Sequence, residues 1–272
     1  MIRSHIGRPI DLSLRSNQLI AALTLLMAIA GTALWWSGES PDAWLAPVHT
    51  FVFWALVREL DPDRHWTALL AAAIAGGWVL LGYDTVSAFA LGGLLLAGRL
   101  VLNPVGLRPL NTDLAAMAVA ATVVAFTPAG WLAGSGIAVA LYIDARFAGE
   151  TRRAPLFAAV GAALGASVMA TLTDALPQNI PTVNPLIVSV LGLLALIIVV
   201  RDPLPVLSTV DHSSEKLMET GRLHATRVLI VVLVFIAAAL AGERATALIP
   251  MVITIALILI SEEVKRVRHP TL

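Results

Sequence analysis

The densest grouping of side chains able to do chemistry is Arg58-Glu59-Leu60-Asp61-Pro62-Asp63-Arg64-His65. Asp61 and Asp63 stand in an Asp-x-Asp spacing whose hard carboxylate oxygens suit Mg²⁺, with substrate phosphate oxygens completing the octahedron. Arg58 and Arg64 would then grip phosphate through paired N–H donors. His65 is the neighbouring group able to move a proton near neutral pH. The same string also reads as a charged turn, because Pro62 sets a bend and short loops between apolar segments are polar. The residues alone leave both readings open.

Three further candidates lie apart from this string. Arg99 sits about one turn inside the end of an apolar run, where a charge needs a partner or must snorkel to water. The nearest acid further along the chain is Asp113, with Arg108 between them. An Arg99–Asp113 pair facing a polar pocket is one expectation; snorkelling and placement of Asp113 at a helix N-terminus is the other. His49, just after Pro47, is the ionisable group set well within an apolar run. It reads as a proton relay, a ligand contact, or a neutral ring bonded to a neighbouring helix. Asp61, Asp63, His65 and Asp113 are thus the candidate catalytic groups. His49, Arg58, Arg64, Arg99 and Arg108 are the candidate substrate contacts, and Asp61 and Asp63 the candidate metal ligands.

Several chemistries are excluded. The chain has no cysteine, so disulfides, thiolate metal sites and a cysteine nucleophile are ruled out. It carries no phosphate-binding glycine loop, dinucleotide fingerprint, His-Glu-x-x-His helix or nucleophile elbow. The formal net charge is zero, which gives no electrostatic argument for a nucleic-acid partner.

The elements that must position these groups are apolar runs. Of 272 residues, 58% are hydrophobic and 13% charged, against about half and a quarter in soluble domains. Segments such as 19–36, 186–200 and 228–241 lack the polar stripe of an amphipathic helix and approach the length that crosses a bilayer. The first run lacks a small-x-small exit and reads as a retained helix. Charges, prolines and Asn/Asp/Gly clusters divide the chain into ten spans: 19–37, 44–60, 66–82, 86–102, 113–127, 131–145, 156–173, 185–200, 227–242 and 246–261. The fold expected is an all-α polytopic bundle of ten transmembrane helices, one transmembrane domain over 1–272 that includes an N-terminal segment 1–18.

Arginine and lysine set the orientation. With the N-terminus in the cytoplasm, all of the 18 Lys and Arg residues except Arg244 fall on the inner side, as the positive-inside rule requires. Both termini are then cytoplasmic. Trp35, Trp36, Trp44, Trp78, Tyr83 and Trp131 fall near outer ends, while Trp54, Trp66 and Tyr142 fall near inner ends, as interfacial belts do. Arginine far exceeds lysine, only Lys216 and Lys265 being present, in the manner of a GC-rich bacterial genome. The cell membrane is the compartment this implies.

Smaller features complete the reading. Gly130-x-x-x-Gly134 and Gly161-x-x-x-Gly165 offer small faces for close helix approach. Within the cytoplasmic loop 201–227, Ser208-x-x-Asp211 would cap a short interfacial helix running to Glu219 and stopped by Gly221. The outer loop 174–185 is polar and proline-rich. Even-numbered spans end in charged or polar clusters, which serve as helix stops.

Ten helices in so short a chain leave little room outside the bilayer, so function must reside among the helices or at their ends. The leading expectation is a transporter or facilitator for a small-molecule or lipid substrate. The second is an enzyme of the cytoplasmic face, using Mg²⁺ on a lipid-linked or phosphorylated substrate. The third is an accessory or scaffold subunit with a partner protein or a second copy. The orientation is directly testable because the chain is naturally free of cysteine. A Ser213→Cys thiol should react with a membrane-impermeant maleimide only from the cytoplasmic side, and a Gln178→Cys thiol only from the opposite side. Reaction of both from one side would overturn the ten-span count.

Overall fold

The structure is a computed structural model that describes residues 12–107, 109–127, 130–147, 153–173, 184–201, 203–204, 206, 209–210 and 213–268. Ten α-helices account for nearly all of it: α1 Arg15–Ser37, α2 Ala46–Leu60, α3 His65–Leu80, α4 Ala88–Leu102, α5 Asn111–Val124, α6 Gly130–Phe147, α7 Ala154–Leu172, α8 Pro185–Val200, α9 Thr220–Ala241 and α10 Ile249–Arg268. Their number and order match the ten expected spans. Short 3₁₀ turns, Ala43–Leu45 and Gly242–Leu248, lead into α2 and α10. Four helices are long and apolar enough to cross a membrane: α1, α7, α9 and the stretch Arg244–Val267 containing α10.

The ends of the helices follow local chemistry. Asn103 closes α4 in the left-handed conformation that asparagine tolerates, and its side chain receives the Gly106 N–H at 2.9 Å. Asn184 caps α8 through the Ile187 N–H, with Pro185 in the first turn. The rest of the outer loop, residues 174–183, lies outside the described residues.

Four helices, α2, α4, α6 and α9, form the middle of the bundle. Helix α4 touches α2, α5, α6 and α9; α1 and α3 flank α2, while α5 and α7 flank α6. Helix α8 lies on α9, and α10 bridges α8 to α3. The central helices bury large side chains such as Leu56, Leu91, Leu100, Ile137, Leu141 and Ile230, but on two flanking helices what is buried is small. Helix α3 turns Ala68, Ala71, Ala72, Ala75 and Gly76 inward, and α7 turns Ala159, Ala162, Ala166 and Ala170 inward. The opposite face of α7 exposes Leu156, Phe157, Val160, Leu164, Val168 and Leu172 at helical spacing. Small residues inside and large apolar ones outside invert the sorting found in water-soluble cores.

Two boundary corrections alter the chemistry. Helix α9 begins at Thr220 rather than near 227, so Gly221 lies in its first turn instead of stopping a preceding helix. Thr209–Val210 pairs antiparallel with Ser213–Leu217, in place of the short helix expected there. Thr, Val and Ser are weak helix formers, and this run contains four of them in Thr209, Val210, Ser213 and Ser214. Ser208 and Asp211, on which the capping pattern rests, lie outside the described residues. Helix α10 runs on to Arg268, which places Glu262, Glu263 and Lys265 on a helix.

The glycine pairs are used unequally. A Cβ on Gly165 would fall 2.1 Å from Thr122 Oγ1 of α5, whereas one on Gly161 would meet nothing within 4 Å. Gly165→Ala should therefore cost about 1–3 kcal/mol through overpacking, read as a lower melting temperature in detergent. Gly161→Ala should leave it unchanged or slightly raised. Equal effects at the two positions would contradict the packing described.

Candidate functional site

The polar groups gather at two opposite ends of the bundle. One end holds the C-termini of α2, α4, α6 and α10 with the N-termini of α3 and α9. The other holds the start of α2, the end of α3, and the starts of α4 and α10.

At the first end, α9 supplies two buried arginines. Arg222 donates to Asp144 Oδ1 on α6 at 2.6 Å and to the Val101 carbonyl of α4 at 2.9 Å. Its guanidinium also lies 5.1 Å over the Phe147 ring and 3.4 Å from Glu219. Arg227 donates to the Leu60 carbonyl at the end of α2 at 2.8 Å and to Glu262 Oε2 on α10 at 2.9 Å. Both receiving carbonyls belong to the last turn of a helix, where no intrahelical donor remains. Glu262 accepts the Leu204 N–H through its other oxygen at 2.7 Å, which fastens the chain beyond α8 to the same point. Arg201 and Glu263 pair at 2.6 Å further out.

The residues singled out from sequence enter this network in part. Asp61, just past the end of α2 and 8% exposed, accepts a hydrogen bond from the Ser261 hydroxyl of α10 at 2.9 Å. Asp63 pairs with Lys265 at 3.4 Å. Together with Arg64, Arg227, Glu262, Leu204, Val206 and Leu223 they line a small cavity. Burial is the largest influence on Asp61 and pushes its carboxyl above the ordinary range, against the Ser261 hydrogen bond and the nearby Arg227 and Arg64. Arg58 reaches back to bond His65 Nδ1 and lies 5.8 Å from the Trp54 ring centroid. Burial and then Arg58 pull His65 below the usual histidine range, with Asp63 opposing. Both influences favour the neutral ring.

The other candidates fall elsewhere. Arg99 pairs with Glu59 of α2 at 2.8 Å, not with Asp113. Asp113 accepts the Leu110 N–H at 3.0 Å and so closes the start of its own helix. An acid on a preceding helix end is spatially nearer than the next acid along the chain, and sequence distance concealed it. Arg108 lies outside the described residues. Among the described residues, no group of three or more His, Asp or Glu is placed to hold a metal ion. A shallow surface hollow lined by Leu110, Asn111, Arg153 and Ala154 lies where α5 and α7 begin, beside Asp113 and apart from Asp61 and Asp63.

At the second end, His49 is 3% exposed. Its Nδ1 is 3.1 Å from the Leu45 carbonyl and its Nε2 2.9 Å from the Val86 carbonyl. A neutral ring has one N–H and can donate to one of them at a time. The ring borders a second small cavity with Phe53, Ala75, Trp78, Val79, Thr85, Val86, Ala247 and Pro250. Trp78 stacks on Tyr83 and donates to the Asp84 carbonyl at 3.1 Å, which steadies the cavity wall.

No family model, curated protein or solved structure matches the chain.

The groups not anticipated as a unit are Glu59, Asp144, Arg222, Arg227, Ser261, Glu262 and Lys265. Their shared sidedness was a usable signal, since buried charges at one end of a bundle must find one another. Breaking a buried pair from one side leaves an uncompensated charge, at a cost of about 3–5 kcal/mol. Arg222→Leu should lose that much stability in detergent, and Arg222→Leu/Asp144→Leu should recover most of it. A double variant no better than the single would show that the Val101 contact, and not the ion pair, carries Arg222.

Proposed function

We propose that the chain is a multi-pass protein of the cell membrane, with both termini in the cytoplasm, that carries a small uncharged or amphiphilic solute. Bilayer insertion is supported by the four long apolar helices and by the inverted sorting of small and large side chains. The shorter helices, 14 to 16 residues in α3, α4, α5 and α8, rise about 21–24 Å. Their flanking turns supply the rest of a core about 30 Å thick. The cytoplasmic placement of the polar network follows from the distribution of arginine and lysine.

The observation that carries the transport reading is that α2, α3 and α10 hold a closed polar network at one end and the His49 cavity at the other. His49 and Leu60 are separated by about 16 Å along α2 at 1.5 Å per residue. Separate small cavities at the two ends of the same helices, one of them closed by breakable side-chain bonds, are features an alternating-access carrier would use. Between the two ends the facing helices bury the neutral polar groups of Thr50, Trp54 and Thr254, which suits a neutral solute better than an ion.

The enzyme reading would require Asp61 and Asp63 to exchange Ser261 and Lys265 for Mg²⁺. A thermal-shift measurement with Mg²⁺ and inorganic phosphate distinguishes the two, and no stabilisation is expected. The transport reading is tested in proteoliposomes by light scattering after an osmotic step, using a panel of small uncharged solutes. At least one solute should cross faster than through protein-free vesicles, and His49→Ala should change that rate by several-fold. Fluxes equal to protein-free vesicles across the panel, with Mg²⁺-dependent stabilisation, would replace the transporter with the enzyme.

A further inference from the structure

Three acids are buried among the described residues: Glu59, Asp61 and Asp144. Glu59 has Arg99 against it and Asp144 has Arg222. Asp61 differs. Its hydrogen-bond partner is a neutral hydroxyl, Ser261, contributed by another helix. The groups around it come from three elements. The α2–α3 turn brings Asp63 and Arg64, α9 brings Arg227, and α10 brings Ser261, Glu262 and Lys265. The described residues of the segment after α8 that reach the cavity are Leu204 and Val206, both apolar. Of the cations around the cavity, Lys265 is paired with Asp63 and Arg227 with Glu262, and Arg64 acts on Asp61 through its charge without a salt bridge to it. Glu59 and His65 turn to Arg99 and Arg58 instead. A carboxyl placed in this way can lose or gain a proton without first breaking an ion pair, and the hydroxyl that binds it can serve either form.

We propose that Asp61 is the proton-sensitive element of the inner gate: its protonated form keeps α10 against the α2–α3 turn, and loss of the proton opens the cavity to the cytoplasm. This rests on the reading of that end as the gate of a transporter. The direction follows from linkage. Burial raises the affinity of Asp61 for its proton in the closed arrangement, and opening returns the carboxyl to water. The closed arrangement binds the proton more tightly, so protonation favours closure, and rising pH favours opening. Ser261 can accept from the protonated carboxyl, so closure keeps its bond across the two helices.

The absence of cysteine allows a direct readout on the full chain in detergent. A Val206→Cys thiol lines the cavity. A Val267→Cys thiol, at a position 74% exposed, corrects for the ionisation of thiols with pH. The maleimide labelling rate of the first, divided by that of the second, should rise several-fold between about pH 4.5, just above the ordinary aspartate range, and pH 8. Asp61→Asn, which keeps an acceptor for Ser261 and mimics the uncharged form, should hold the ratio low at both values. Arg227→Gln should raise it at both, and Lys265→Gln serves the same purpose if Arg227→Gln melts early. A flat wild-type ratio combined with a raised ratio in the arginine or lysine variant would overturn the role of Asp61 while leaving the gate. An equal rise in Asp61→Asn and wild type would assign the pH response to another group. Flat ratios in every variant would overturn the gate itself.

Discussion

A guanidinium does not shed its proton inside a protein, so an arginine that is buried must be met by acceptors. Helix α9 carries two of them five residues apart, which places them about 140° apart around its axis at 3.6 residues per turn. They therefore reach in different directions. Arg222 points to α4 and α6, and Arg227 to α2 and α10. Each takes one carbonyl from the end of a helix and one carboxylate from another. Helix ends carry unpaired carbonyls and partial negative charge, so the carbonyl contacts use acceptors that the fold must otherwise leave to water. Four helices are thus pinned to one end of a fifth.

The pinned helices bury large side chains such as Leu56, Leu100, Ile137 and Met251, whereas the flanking α3 and α7 turn small faces inward. Ala68, Ala71, Ala72 and Ala75 on α3, and Ala159, Ala162, Ala166 and Ala170 on α7, permit close approach. Smooth alanine faces do little to fix how far one helix slides along another. Isolated tight fits, such as Gly76 beneath Thr50 and Gly165 beneath Thr122, set spacing between pairs. Register across the whole bundle needs directional bonds, and the buried arginines supply them. A buried ion pair adds little net stability against an apolar replacement, and fixing a register is its best-attested use.

The architecture was largely legible in the sequence because each apolar run had to be a helix. Their number and order follow from charges, Pro62, Pro104 and the Asn and Gly clusters. Boundaries near charged residues were less legible. Arg222 and Arg227 were set outside the membrane segment because arginine is costly in lipid, and the cost is removed by Asp144, Glu262 and two carbonyls that local sequence does not reveal. Arg99 lies in the last turn of α4 as the sequence indicates, but its partner is not the expected one. Its partner Glu59 lies forty positions earlier, and a reading along the chain gives preference to Asp113. The pairing of 209–210 with 213–217 escaped because a capping pattern was given more weight than the poor helix propensity of the residues inside it. His49 stands out in the sequence as an anomaly; its Leu45 neighbour is one turn back along the chain, but its Val86 neighbour depends on how the chain enters α4.

The two ends of the bundle are held by different kinds of bond, and this gives them different responses to water. At the His49 end the ring meets backbone carbonyls, which cannot ionise and stay where their helices put them. At the other end the closing contacts join side chains on separate elements: Arg227 to Glu262, Lys265 to Asp63, and Ser261 to Asp61. Burying these charges costs hydration that their mutual attraction offsets only in part. Hydration returned on opening offsets the loss of those contacts, so the free-energy difference between the closed and open arrangements is smaller than the sum of the bonds broken. An apolar closure of the same area would have no such compensation, because its opening exposes surface that water does not favour. The polar seam formed by α2, α9 and α10 is thus the part of this bundle best able to part and re-form.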